Sequence, residues 1–200
     1  MLYTLMKHVL VGPALKTLYS PHVEGIEHIP DDGPAILASN HLSFSDSFFL
    51  PMVVDRKITF LAKSDYFDGP GVRGWMTKQF FSGVGQVPID RSGGRASMAA
   101  IDTGVRILRQ GDLLGIYPEG TRSPDGRLYR GRTGVARMAL VAGVPVIPVA
   151  MIDTDVVQPP GQVFPNLCRV GIQLGKPMDF SRYEGMENAR CVLRSITYEI

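Results

Sequence analysis

Residues 34–46, PAILASNHLSFSD, decide the fold class of the chain. They open on a nearly continuous apolar run, which is typical of a strand covered on both faces of a sheet. Three similar runs follow along the chain, at residues 58–62, 113–117 and 144–151. The four runs predict the buried strands of a sheet that carries helices on its faces.

Helical patterns separate these apolar runs. In residues 94–109 the apolar side chains recur at the three- and four-residue spacing of one helix face. They are Met98, Ile101, Val105 and Leu108. Residues 132–142 predict a second helix that ends at Gly143. With a late strand at 170–174 and a last helix at 186–199, the pattern predicts one α/β domain on a mixed, mostly parallel sheet flanked by helices.

The composition is that of an ordinary globular domain, with 44% hydrophobic and 20% charged residues among 200. A formal net charge of +2 is too mild for a nucleic-acid partner, but it is compatible with an anionic lipid surface or a polyphosphate substrate. Cys168 and Cys191 are too few for a disulfide framework or a zinc site, and we interpret both as small buried apolar residues in a reducing compartment.

Residues 1–20, MLYTLMKHVLVGPALKTLYS, form an apolar segment that is interrupted by charge. Lys7, Pro13 and Lys16 break the run, whereas a membrane span requires ~20 nearly uncharged residues. Two interpretations stay open: a helix lying in the membrane interface, or a first helix packed on the core. We therefore divide the chain into this segment and a domain at 21–200, and expect no signal peptide.

The polar half of residues 34–46 supplies a candidate base. His41 and Asp46 are five residues apart, so on one continuous helix their side chains would diverge by ~140°. They can meet if His41 lies in a loop, with Ser43 capping a helix through residues 44–50 that ends before Pro51. Asp46 would then orient the imidazole as a general base. The alternative is a surface histidine with Asp46 as a helix-start charge.

Residues 117–123, YPEGTRS, follow another predicted strand and suit an anion. Arg122 can hold a phosphate bidentately, Gly120 permits close backbone approach, and Thr121 adds a hydroxyl and an amide. Glu119 would repel a phosphate, so we expect it to orient Arg122 or to accept a substrate hydroxyl. The alternative is a strand-end turn with a solvated Arg–Glu pair.

Other cations are candidates for the same anion. Arg91 follows a short apolar run, with a salt bridge to Asp90 as its alternative, and Lys63 follows the strand at 58–62. Three more arginines cluster downstream, where they would meet a nucleotide phosphate or lipid headgroups, or form a solvated basic face: Arg127, Arg130 and Arg132. In open α/β sheets ligands bind beyond the carboxyl ends of strands, which is where His41 and Glu119 are expected to lie.

Four blocks in order resemble the glycerolipid acyltransferase family, typified by 1-acylglycerol-3-phosphate acyltransferases. They are Asn40-His41-x4-Asp46, GQVPIDR at 85–91, YPEGTRS at 117–123 and VPVIPVA at 144–150. The resemblance implies that family's α/β fold and an enzyme peripheral to the cytoplasmic face of the cell membrane. It would transfer an acyl group from acyl-CoA or acyl carrier protein to lysophosphatidic acid, making phosphatidic acid in phospholipid biosynthesis.

The same resemblance assigns roles to individual residues. It makes His41 the base and Asp46 its partner, and places Arg91 and Arg122 on the acceptor phosphate, with Glu119 and Gly120 shaping that site. It implies no metal and no cofactor beyond the acyl thioester, and leaves the oligomeric state open. Glycerol-3-phosphate remains an alternative acceptor, and a thioesterase or a non-catalytic lipid-binding module remain alternative functions.

Two details depart from the family pattern. Tyr117 stands where phenylalanine is commoner, and the N-terminal segment is shorter than a two-helix membrane anchor. The acyl chain needs an apolar groove, for which aromatic-rich segments near the first block are candidates, with core packing as the alternative. The candidates are Phe48, Phe49, Phe67, Trp75, Met76, Phe80 and Phe81.

Overall fold

A computed structural model describes residues 7, 11–64, 71, 85–89, 95–159, 162 and 164–200. Its sheet has seven strands in the order β1-β7-β6-β2-β5-β3-β4. The strands are β1 (His22–Glu24), β2 (Ala35–Ser39), β3 (Ile58–Lys63), β4 (Gln86–Ile89), β5 (Leu113–Ile116), β6 (Val146–Ile152) and β7 (Gly171–Leu174). All neighbouring pairs run parallel except β6 and β7. The predicted mixed, mostly parallel sheet is confirmed.

Six α-helices and two short 3₁₀ helices, Ile26–His28 and Ser181–Tyr183, accompany the sheet in the described part of the chain. The α-helices are numbered in chain order. They are α1 (Val11–Tyr19), α2 (Asp46–Val53), α3 (Arg95–Arg109), α4 (Gly134–Ala142), α5 (Thr154–Val157) and α6 (Arg190–Glu199). The predicted end of α4 is confirmed, because Gly143 adopts the left-handed conformation with φ of 65°.

The helix after the first block differs from its prediction. It begins at Asp46 rather than residue 44, and it continues through Pro51 to Val53. Pro51 lacks the N–H that a helix residue donates four positions back, which weakens the last turn. Leu50 and Met52 on either side of it are buried in the core, and their packing holds that turn in place.

Two hydrophobic clusters cover the two faces of the sheet because side chains alternate along each strand. On one face, Leu37 of β2 packs with Phe49 of α2. On the other face, Ile36 of β2 packs with side chains of α3, α4 and α6: Leu108, Met138 and Ile196. The result is a three-layer α/β arrangement in which the ends of β2 and β5 lie side by side.

The described part of the N-terminal segment contacts the domain. Tyr19 at the end of α1 packs edge-on against Phe49, with ring centroids 5.2 Å apart. The Lys7 ammonium donates to the carbonyl oxygens of Val54 and Asp55. Residues 1–6 and 8–10 lie outside the described residues, so the choice between membrane interface and core packing stays a prediction. Within the described ranges, no helix combines the length and apolar character of a bilayer span.

Candidate active site

The histidine and aspartate of the first block form a hydrogen-bonded pair at the carboxyl end of β2. His41 lies in the loop after the strand, and its Nδ1 is 2.8 Å from Oδ2 of Asp46 in the first turn of α2. This is the loop-to-helix arrangement that the five-residue spacing requires. The Asp46 side chain is completely buried, while that of His41 retains 16% exposure.

Asp46 also organises the loop itself. Its Oδ2 accepts hydrogen bonds from the backbone N–H groups of Leu42 and Ser43, at 2.8 and 2.9 Å. Two backbone donors and the imidazole nitrogen therefore converge on Oδ2, whereas Oδ1 is buried and has no hydrogen-bond partner among the described residues. Since an ionised carboxylate only accepts hydrogen bonds, the His41 Nδ1 carries the proton, and Nε2 is left with a free lone pair facing away from Asp46.

The predicted cap at Ser43 is wrong. The residue preceding α2 is Ser45, and neither serine caps the helix with its side chain. Ser43 Oγ instead donates to the carbonyl oxygen of Gln158 at 2.9 Å, and Ser45 Oγ donates to Ser43 Oγ at 3.1 Å. Asp46 bonds backward to the loop, so the acid rather than the serine fixes the turn.

Asn40 anchors the start of the site, a role that the sequence interpretation did not assign. Its side-chain amide exchanges two hydrogen bonds with the backbone of Met151 in β6, at 3.0 and 2.7 Å. These bonds tie the end of β2 to the neighbouring strand, and so fix the point from which the His41 loop departs.

Tyr117 is a second contact that the sequence interpretation missed. Its ring stacks on the His41 imidazole with centroids 3.8 Å apart and planes 11° from parallel. Its hydroxyl lies 3.2 Å from Ser47 Oγ. Burial, and secondarily the negative charge of Asp46, raise the pKa of Tyr117 well above its ordinary value of 10.0. The phenol therefore stays neutral beside the imidazole.

This raised pKa predicts a loss of stability at high pH. Above pH 10, tyrosine ionises in the unfolded chain but Tyr117 stays protonated in the folded chain, so rising pH favours unfolding. We expect the free energy of unfolding to fall by up to about 1.4 kcal/mol per pH unit more in wild type than in Tyr117→Phe. Urea unfolding at pH 9 and pH 11 measures the free energy of unfolding of both proteins. An equal change between the two pH values in wild type and Tyr117→Phe would contradict the prediction.

The YPEGTRS turn lies directly against the His41 loop. The backbone N–H of Ser123 donates to the carbonyl oxygen of His41 at 2.7 Å. Gly120 has a φ of 77°, a conformation that side chains with a Cβ rarely adopt. Thr121 and Arg122 are exposed. The first and third blocks are therefore in direct contact, and the Arg122 side chain is exposed to solvent.

Glu119 does not play its expected part. Its side chain is buried, and Oε2 accepts the backbone N–H of Tyr129 at 2.9 Å. Among the described residues it forms no ion pair with Arg122, and Oε1 has no hydrogen-bond partner. The expected Glu119–Arg122 orientation is wrong. The carboxylate instead holds the loop that follows the turn. Further along this loop, the backbone N–H of Arg132 donates to the carbonyl oxygen of Pro118 at 2.7 Å.

Of the remaining candidates for the acyl groove and the phosphate, one lies in the core, one is partly buried, and the others are not described or lack a described side chain. Phe49 is 1% exposed and belongs to the core, so its assignment to an acyl groove is wrong and the core-packing alternative holds. Phe48 is partly buried beside Phe44, with ring centroids 5.3 Å apart. Lys63 ends β3, but its side chain is outside the description. Also outside the described residues are Phe67, Trp75, Met76, Phe80, Phe81 and Arg91.

No group of three or more histidine, cysteine, aspartate or glutamate side chains that would bind a metal occurs in the described ranges. Cys168 is partly buried and Cys191 is exposed, and both are free thiols, so the expected burial of Cys191 is wrong. The functional groups beyond the carboxyl ends of β2 and β5 are thus an oriented imidazole, an aromatic ring on the face of that imidazole, and a turn that carries an arginine. These can remove a proton from a hydroxyl and bind an anion nearby.

The chain matches a known protein family. A family model described as Acyltransferase matches residues 20–152. The chain belongs to the acyltransferase family, as the four sequence blocks predicted.

Two proteins similar to this chain are members of that family with the same enzyme name. Chloroplastic 1-acyl-sn-glycerol-3-phosphate acyltransferase of Arabidopsis thaliana is 31% identical over 172 residues, covering 85% of this chain and 47% of that protein. The Brassica napus chloroplastic enzyme of the same name is 33% identical, covering 72% of this chain and 40% of its own length. The chain therefore spans less than half the length of these two relatives.

A solved structure resembles nearly the whole chain. The 1-acyl-sn-glycerophosphate (LPA) acyltransferase PlsC from Thermotoga maritima superimposes with a TM-score of 0.72 at 27% identity. The match covers 94% of this chain and 72% of the other. The fold expected from the family resemblance is confirmed by this superposition.

Proposed function

We propose that this chain transfers a fatty acyl group from a thioester to the free hydroxyl of lysophosphatidic acid, making phosphatidic acid for phospholipid biosynthesis. The observation that carries the proposal is the contact between the two blocks. The Ser123 N–H donates to the carbonyl oxygen of His41, so the turn that carries Arg122 lies against the loop that carries the oriented imidazole. A small glycerolipid offers both a hydroxyl for the base and a phosphate for the arginine.

In the proposed reaction, His41 Nε2 takes the proton from the lysophosphatidate hydroxyl as its oxygen attacks the thioester carbonyl. A carbon–oxygen bond forms, the carbon–sulfur bond breaks, and the departing sulfur takes the proton from the imidazolium. Asp46 stabilises that imidazolium through its 2.8 Å hydrogen bond to Nδ1. General-base catalysis of this kind contributes about 10²- to 10⁴-fold in rate.

Transfer is direct, without an acyl-enzyme. The chain has no Gly-x-Ser-x-Gly nucleophile elbow. Three serines lie within four residues of His41, and all are buried: Ser39, Ser43 and Ser45. Ser39 donates to the carbonyl oxygen of Asn40, Ser45 donates to Ser43, and Ser43 donates to the carbonyl oxygen of Gln158. None of these hydroxyls is arranged to be activated by the imidazole, so the acceptor hydroxyl is the nucleophile.

The acceptor phosphate is held by Arg122 and the backbone of the turn around Thr121, with Gly120 allowing close approach. We include Arg91 and Lys63 as further cations for that phosphate. Anchoring the phosphate fixes the distance from the glycerol hydroxyl to His41, which is proximity catalysis. For the membrane-facing and acyl-chain roles we retain Phe48, together with the undescribed aromatic residues Trp75, Phe80 and Phe81.

The donor is proposed to be acyl-CoA or acyl carrier protein, and the site of action the cytoplasmic face of the cell membrane, as a peripheral protein. An assay that combines palmitoyl-CoA or palmitoyl carrier protein with lysophosphatidic acid, glycerol-3-phosphate or no acceptor tests both partners. Mass spectrometry is expected to identify phosphatidic acid as the main product. Lysophosphatidic acid as product from glycerol-3-phosphate would favour the alternative acceptor, and free palmitate without acceptor would favour a thioesterase. If no thioester were turned over under any condition, the result would favour a non-catalytic lipid-binding module.

Replacing Arg122 with alanine tests the phosphate contact. We expect KM for lysophosphatidic acid to rise about 10- to 100-fold, because a charge-assisted hydrogen bond contributes about 1.5–3 kcal/mol. Steady-state kinetics at saturating acyl donor measure it. Arg109→Ala is the matched control, since Arg109 is an exposed arginine at the end of α3, beyond the end of β5 that is opposite the turn. Equal KM values for the two variants would remove Arg122 from the site.

A further inference from the structure

We propose that Tyr117 is a positioning residue for the His41 base: its ring holds the face of the imidazole, and its hydroxyl ties that ring to the helix that carries Asp46. The inference rests on the proposed function, because it takes His41 as the base. The four-block pattern does not require a tyrosine at position 117. The Tyr117 ring contacts the His41 imidazole, and the Tyr117 hydroxyl contacts Ser47.

The imidazole needs more than its aspartate to stay in place. A single hydrogen bond at Nδ1 fixes one edge of the ring but lets the plane swing about that edge. Tyr117 removes this freedom, because its ring lies flat against the imidazole at 3.8 Å and 11°. With edge and face both occupied, Nε2 points in one direction, which a base must maintain for efficient proton transfer.

The Tyr117 ring is itself fixed at two points. Its hydroxyl lies 3.2 Å from Ser47 Oγ, and Ser47 directly follows Asp46 in α2. Consecutive residues of one helical turn therefore control the edge and the face of the same imidazole. Below, the Tyr117 ring stacks on Phe60 at 5.5 Å.

The space for Phe60 comes from Gly115 in β5. A Cβ at Gly115 would lie 2.4 Å from the Phe60 ring, so only glycine lets that ring lie across the strand beneath Tyr117. The support therefore extends from the core to the catalytic base in a continuous stack of aromatic side chains, and small changes in β5 would displace it.

The stack also acts on charge. The face of an aromatic ring is electron-rich and attracts a cation, so the imidazolium formed on proton uptake is more stable on Tyr117 than on an aliphatic side chain. Two titratable groups face the imidazole in the described structure: the Asp46 carboxylate at its edge and the Tyr117 phenol on its face. The carboxylate supplies the charge, and the neutral phenol supplies the orientation.

Kinetics of Tyr117 variants test the inference. In Tyr117→Leu we expect kcat to fall about 5- to 10-fold, with KM for lysophosphatidic acid within about twofold of wild type. Tyr117→Phe keeps the stacked ring and is expected to retain most of kcat. Phe180→Leu is the control for loss of a buried ring, since Phe180 packs in the cluster on the opposite face of the sheet. Unchanged kcat in Tyr117→Leu, or equal losses in Tyr117→Leu and Tyr117→Phe, would overturn the inference.

A measurement without substrate separates this inference from the proposed function. The chain has four histidines, and the ¹⁵N imidazole signals of ¹⁵N-histidine protein can be assigned with His41→Gln. We expect wild-type His41 to give the Nδ1-protonated form, and Tyr117→Leu to give a mixture of tautomers or an exchange-broadened signal. Identical His41 signals in the two proteins would overturn the positioning role, whether or not wild type transfers acyl groups. If Tyr117→Leu does not fold, Tyr117→Met replaces it in both experiments, with the same criteria.

Discussion

Replacing His41 with alanine is expected to lower kcat for phosphatidic acid formation by about 10²- to 10⁴-fold. The imidazole is the proposed proton acceptor, and the Asp46 carboxylate that remains is buried, so it cannot reach a substrate hydroxyl. KM for lysophosphatidic acid is expected to change little, because Arg122 and its turn hold the phosphate. Steady-state kinetics with either acyl donor measure the effect.

His22→Ala provides the control for this variant. His22 is exposed in β1, where it pairs with Glu24 rather than with groups of the site. We expect its kcat to match wild type. A His41→Ala enzyme with near-normal kcat would end the general-base mechanism, since no other described imidazole lies in this site.

Replacing Asp46 with asparagine is expected to lower kcat by about 10²-fold or more. An amide oxygen can still accept from Leu42 and Ser43, so the loop is retained, but the negative charge that stabilises the imidazolium is lost. Hydrogen bonds to a charged group contribute about 1.5–3 kcal/mol, and weakening them is expected to lower the free energy of unfolding as well. Kinetics and urea unfolding on the same preparation separate the two effects.

Asp112→Asn is the matched substitution for Asp46→Asn. Asp112 is exposed and precedes β5, at the opposite end of that strand from Tyr117. It removes the same charge from the chain without touching the site. If Asp46→Asn lost stability but kept kcat, Asp46 would be a structural residue of the loop and not a partner of the base.

The sequence predicted the sheet because buried strands leave a strong local signal. The runs that became β2, β3, β5 and β6 are nearly continuous in apolar residues, as central parallel strands are. β1 and β4 were not predicted as strands. They contain three and four residues, lie at the two edges of the sheet, and carry exposed side chains, so little periodicity marks them.

The pairing of His41 with Asp46 was predictable, but the hydrogen-bond partner of Ser43 in the same loop was not. The spacing required a loop followed by a helical turn, and the structure has both. Ser43 matched the spacing of a cap, yet its hydroxyl found the carbonyl of Gln158, which is 115 residues away in the chain. Long-range partners of this kind leave no trace in local sequence.

Glu119 and Tyr117 show the same limit at the third block. A carboxylate three residues before an arginine suggests an ion pair, but the buried Glu119 carboxylate accepts the N–H of Tyr129 instead. Tyr117 was noted only as a departure from phenylalanine, whereas its hydroxyl reaches Ser47 across the site. The Tyr117 contact depends on how α2 packs beside the end of β5, and the Glu119 contact depends on how the segment at 120–129 folds back on the turn.

The most direct test of the central claim is a crystal structure of the chain with lysophosphatidic acid bound and no acyl donor present. Our account predicts the free hydroxyl within hydrogen-bond reach of His41 Nε2, about 2.6–3.2 Å, with the phosphate on the Arg122 guanidinium and the backbone of its turn. A complex with the phosphate bound away from Arg122 and the hydroxyl far from His41 would contradict it.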